Sequence, residues 1–256
     1  VSTAHSRHVT LLARPPRLVA ALSALAVLVS LLTLSTAGAA SAAPAPSSAA
    51  PATLGAALDT EATADAAQPL LAGGTQVYSS TGYTCTLAVN LRIGDSAFGL
   101  LPGACTDTFP GWYADPQLTV YLGPTTASTF THGLFRYENP AVPAEQTRVC
   151  GGGGIIDSVG YPTLGQPVTT GTTATGCHTG TISAINVTVN FGNGVIISGL
   201  IRTNFCLDPY DFGSGLTAGT MLIGIPVGGS GNCSAGGTTF YQPIGPVLSQ
   251  YGATII

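Results

Sequence analysis

The sequence predicts an all-β fold from about Leu71 onward: a sandwich, a barrel, or a pair of them. Three observations carry this. Short apolar or alternating runs recur at strand length, each punctuated by Gly, Asn or Pro. Helical periodicity is hard to find in the same stretch. All six cysteines of the 256-residue chain lie there too, an even count that reads as a disulfide framework in an exported protein.

Export itself is read from the amino-terminal segment. Arg7, Arg14 and Arg17 precede an apolar run, LVAALSALAVLVSLLTL, from Leu18 to Leu34, and Ala40-Ser41-Ala42 supplies a small-residue cleavage site. Positive flank, apolar core and small-residue site describe a signal peptide over 1–42. The run falls just short of the roughly 18 residues that mark a membrane span, so no membrane association is expected after its removal. Residues 43–70 are rich in Ala, Pro, Ser and Thr; such a composition buries little and reads as a linker or short pro-segment.

The strand runs follow in order: TCTLAVNLRI (84–93), LTVYLG (118–123), GLFRY (133–137), GTISAINVTVNF (180–191), GVIISGLIRTNF (194–205) and GTMLIGIPV (219–227). These runs are enriched in β-branched or aromatic residues. At the tail, Pro246 opens a short helix through VLSQYG. The chain holds no lysine, and the folded part sets Arg92, Arg136, Arg148 and Arg202 against a majority of acids, within a net charge of −4. That balance excludes the basic stripe of a nucleic-acid binder. Without a Cys-x-x-Cys pair, and with only His132 and His178 outside the leader, neither a metal nor another cofactor is expected.

Several stretches resemble the streptogrisin proteases, bacterial members of the chymotrypsin-like class. These are LAGGTQVYSSTG, CTLAVNLR, PGACTD, GLFRY, ATGCHTGTISAINVTVN, GLIRTNFC and GGSGNCSAGGTTFYQPIGPVLSQYG, in family order from Leu71 to Ile256. The resemblance implies two six-stranded antiparallel β-barrels, about 71–145 and 146–256, with the cleft between them and a short carboxy-terminal helix. It also implies disulfides Cys85–Cys105 and Cys206–Cys233, leaving Cys150 and Cys177 to pair. Relatives carry a substantial pro-region, whereas 43–70 is too short for one. Residues 71–256 are therefore expected to refold unaided.

The segments that carry catalysis in the family depart from its pattern. The resemblance puts the general-base histidine at Ala104, the orienting aspartate at Thr131 and the nucleophilic serine at Phe212; Tyr210 falls where a glycine presents an oxyanion-hole amide. A serine needs a base to take its proton and a third group to orient that base, and Ala104 and Phe212 offer neither. His132 and His178 are read as hydrogen-bonding residues, Ser214 as a turn residue and Asp211 as structural. The expectation is a secreted, monomeric pseudoenzyme, with no catalytic residues and no turnover. It would bind a peptide, a protein inhibitor or a protease partner along Val227-Gly228-Gly229, whose counterparts in relatives pair with substrate backbone. The alternatives are an active serine endopeptidase and a structural extracellular protein.

Overall fold

The computed structural model describes residues 71–108, 110–172, 175–207, 212–233 and 236–256. The signal-peptide and linker readings, and those on Tyr210 and Asp211, lie outside the described residues. Strands dominate, as the residue patterns demand, and two sheets form. The first contains β1 (Gln76–Ser79), β2 (Thr84–Thr86), β3 (Val89–Ile93), β4 (Ser96–Pro102), β5 (Gly111–Tyr113), β6 (Tyr121–Ser128) and β7 (His132–Arg136). A four-residue helix, α1 (Gly103–Thr106), follows β4 directly. The second sheet contains β8 (Ser158–Val159), β9 (Pro167–Thr172), β10 (Gly176–Gly192), β11 (Val195–Thr203), β12 (Leu216–Ala218), β13 (Met221–Asn232) and β14 (Gly236–Pro243). Then come α2 (Ile244–Tyr251) and β15 (Thr254–Ile255), the latter returning to the first sheet beside β3.

The first sheet runs β15-β3-β4-β7-β6-β5-β1-β2 and the second β12-β9-β10-β11-β14-β13-β8. Eight and seven strands thus stand where six per barrel were expected, because two- and three-residue segments such as β15, β2 and β8 add themselves at the margins. The architecture is the expected all-β pair of curled sheets, antiparallel except where β8 joins β13 in parallel, with a short carboxy-terminal helix. The run TCTLAVNLRI is not one strand. Thr86 pairs with Gln76, whereas Val89 pairs with Leu100, so the chain changes partners at the buried Leu87-Ala88. α2 begins two residues before Pro246. Proline is tolerated there because first-turn N–H groups have no intrahelical acceptor. Gly252, at φ 59°, ends the helix and donates its N–H to the carbonyls of Leu248 and Ser249.

Three cores result. Val77, Leu87, Leu101, Trp112 and Phe135 fill the first sheet; Val168, Ile182, Ile201, Leu216 and Tyr241 fill the second. A third joins them: Val89, Leu91 and Leu100 from the first sheet meet Leu222 and Ile225 of β13 and Val247 of α2. Both sheets belong to one compact unit. The six cysteines pair as Cys85–Cys105, Cys150–Cys177 and Cys206–Cys233, with Cα atoms 6.2, 5.5 and 5.2 Å apart. These are the pairings the resemblance implies, all within the range a disulfide accepts.

Candidate active cleft

The cleft is built on one strand, β13. Along Gly224–Asn232 it pairs with β14, while on its other side β12 reaches only Met221–Gly224; β8 meets Met221 and Leu222 opposite β12. Among the described residues, Val227, Gly228 and Gly229 therefore keep one edge outside any ladder, and they are partly or fully exposed. An open edge of this kind offers main-chain donors and acceptors to an added strand.

Two concave spaces flank that edge. One, of about 420 Å³, is lined by Cys206, Leu207, Phe212 and the Gly229–Gly231 stretch, with Thr238 and Thr239 behind. The other, of about 540 Å³, lies between β13 and the first sheet, and its wall includes Ala104, Asp107, Phe130 and Val227. Phe212 is half-buried in the wall of the first space and leaves that space open beside it. Its place is fixed by the next residue. Gly213, at φ 138°, runs so close to β2 that a Cβ there would stand 2.3 Å from the Thr86 carbonyl oxygen. Any other residue would force Gly213 and Thr86 apart.

Ala104 is the exposed member of α1. The helix is pressed onto the turn before β7: a Cβ on Gly103 would meet the carbonyls of Thr129 and Phe130 at 2.2 Å. Thr131, at the end of that turn, is buried, and its hydroxyl is 2.8 Å from His132 Nδ1. Strict strand alternation would turn these neighbours apart. They meet because Thr131 precedes β7 and does not yet follow its pleat. Thr129 Oγ1 is 3.2 Å from the same nitrogen, and the Tyr251 hydroxyl lies 3.2 Å from Nε2. A neutral ring with its proton on Nε2 satisfies this arrangement, accepting from Thr131 and donating to Tyr251. Burial pushes the imidazole's pKa down, which favours that neutral form. His132 thus ties the first sheet to α2, a role the sequence assigned only as hydrogen bonding. His178 is half-buried on β10. Ser214 is buried, its hydroxyl 2.8 Å from that of Thr170.

Sequence reasoning missed the aromatic support of the cleft. Phe130 and Phe191 have ring centroids 5.2 Å apart, and Phe191 stands 6.5 Å from Phe240 in an edge contact. Phe191 leans on the open strand itself, since a Cβ on Gly228 would come within 2.6 Å of its ring. The available signal was an aromatic ending the GTISAINVTVNF run opposite the Gly-Gly pair. Its significance depends on a register that periodicity does not supply.

Two curled, mainly antiparallel sheets, a joining core and an open strand edge between flanking hollows define the chymotrypsin-like class of serine protease folds. No protein-family model matches the chain. Streptogrisin-D of Streptomyces griseus is 39% identical over 206 residues, covering 79% of this chain and 52% of that protein. Serine protease 2 of Streptomyces fradiae is 37% identical over 174 residues, which is 66% of this chain and 100% of that one. Among solved structures, the α-lytic protease homolog N4 is similar with a TM-score of 0.62 and 34% identity, over 72% of this chain and 98% of that chain. The chain belongs to the streptogrisin-like serine proteases. It spans about half the length of streptogrisin-D.

These relatives correct one expectation: that the chain is not an enzyme is overturned, because the proteins it matches across the double-sheet domain are named serine proteases. Three side chains do not make up a whole site. Ala104, Thr131 and Phe212 exclude one route of proton transfer, through those positions; they say nothing of groups placed elsewhere.

Proposed function

We propose that this protein is a secreted serine endopeptidase of the streptogrisin family, taking polypeptide in extended form along Val227–Gly229. The observation that carries the reading is the 37% identity with Serine protease 2 over that protein's whole length. Three disulfides support an oxidising, extracellular setting. The open edge of β13 supports docking of substrate as an added strand.

Hydrolysis at this cleft needs a nucleophile and a base from outside the positions of Ala104 and Phe212, which carry neither. The test must therefore identify the reacting group as well as the reaction. Purified protein is incubated with casein and with chromogenic peptides, with and without a serine-directed phosphonate, and the labelled residue is mapped by mass spectrometry. Turnover that disappears on stoichiometric labelling is the expected result. Neither turnover nor label across a broad substrate panel would overturn the hydrolytic reading. Peptide docking uses main-chain groups and is measured separately, by calorimetry.

A further inference from the structure

The hollow between β13 and the first sheet has a chemistry that nothing above assigns. Among the described residues that line it, Asp107 alone is charged, and the others are apolar, small or hydroxylic, with Ala104, Thr129, Phe130 and Val227 prominent. Asp107 is exposed at its rim. Phe130 is 46% exposed, and its ring is backed by Phe191. Phe191 is held in turn against Phe240 and the Cα of Gly228. The Phe130 face is thus a supported surface and not a loose side chain.

We propose that this hollow receives an arginine side chain of the docked polypeptide, which makes basic peptides the preferred ligand class. The inference rests on the docking reading above. A residue beside Val227 on an added strand has its side chain directed to one flank of β13 or the other, and Val227 lines this hollow. An arginine stem packs on Val227 and the methyl of Ala104, while its planar head lies over the Phe130 ring and pairs with the Asp107 carboxylate. Lysine lacks the flat head that stacks and pairs at once. The space of about 540 Å³ is ample for such a side chain. Overall charge agrees: the chain carries −4 and no lysine, so its field draws cationic partners. A glutamate would meet Asp107 with like charge, and a leucine would leave that carboxylate facing an apolar group.

The test is a scan in which one arginine is moved through a neutral extended peptide, with citrulline as the uncharged isostere at each position. Affinities are measured by calorimetry on the whole chain. At one position, arginine is expected to bind about five- to tenfold tighter than citrulline, the size of an exposed ion pair plus a ring contact. That ratio should fall towards one in D107N and shrink in F130A. In the wild-type protein it should also shrink at high salt, a readout independent of whether either variant folds. A ratio near one at every position, with peptides still bound, overturns this inference and leaves strand docking intact. Failure of every peptide to bind overturns both. A ratio that survives unchanged in a folded D107N would place the basic preference elsewhere and also overturn it.

Discussion

His132 and Asn90 show how single buried polar groups are made tolerable in this fold. His132 is 4% exposed and neutral, between two threonine hydroxyls and Tyr251. Its folded pKa lies below the ordinary value of about 6.5 because burial penalises the charged ring. The unfolded chain therefore binds this proton more readily, and stability rises with pH across the window. The contribution is fully present above about pH 6.5 and is lost as pH falls below it. Urea midpoints measured at pH 8 and pH 5 should drop on acidification in the wild type, and drop less in His132→Gln; equal drops would remove His132 as the cause. Asn90 is fully buried. Its amide donates to the carbonyls of Leu71 and Glu145, and its oxygen accepts from the Tyr137 hydroxyl. Burial pushes the Tyr137 hydroxyl far up, so it stays a donor. Asn90→Leu leaves that hydroxyl and the two carbonyls unpartnered by the residue at 90. A loss of about 2–4 kcal/mol in denaturant titration is expected, the range for orphaned buried polar groups.

At the scale of elements, legibility followed chemistry. Runs with dense β-branching, such as those that became β10, β11 and β13, were readable because their residues fit a pleated surface whatever lies opposite. β5, β9 and β14 were not. Gly-Trp-Tyr is short, Pro-Val-Thr-Thr-Gly-Thr opens on proline and the third stretch opens on Gly-Gly; each becomes a strand by pairing with its neighbour in sequence, β5 with β6, β9 with β10 and β14 with β13. The cleft divides the same way. The open edge at Val227–Gly229 was legible from a short motif. The Phe130–Phe191–Phe240 group was not, since it joins residues from three separate strands or turns across both sheets. Phe191 and Gly228 give this element a direct test. Gly228→Ala places a methyl 2.6 Å from the Phe191 ring, and overpacking of that order costs about 1–3 kcal/mol. In a Phe191→Ala background the same change should cost much less, because the ring it collides with is gone. Equal costs in both backgrounds would show that the two residues are not coupled.

For the whole molecule, the decisive feature is the core that joins the sheets. A chain of two curled sheets could unfold in two steps if each relied on its own interior. Here Leu222 and Ile225 of the second sheet are buried together with Val89, Leu91 and Leu100 of the first, and α2 packs Val247 on the same group before β15 pairs back with β3. The carboxy-terminal strand thus returns to the first sheet, and damage to the shared core must be felt by both. Leu222→Ala removes a fully buried side chain there, with an expected cost of about 2–5 kcal/mol from lost transfer energy and the cavity left behind. The chain's single tryptophan makes the coupling measurable. Trp112 is fully buried in the first sheet, its indole N–H donating to Thr125 Oγ1 at 2.9 Å. Its fluorescence therefore reports on a sheet to which Leu222 does not belong. In Leu222→Ala, the fluorescence transition and the far-ultraviolet circular dichroism transition should shift to lower denaturant together and remain superimposable. A tryptophan transition that stays at the wild-type midpoint while the dichroism shifts would show that the first sheet stands independently of the joining core.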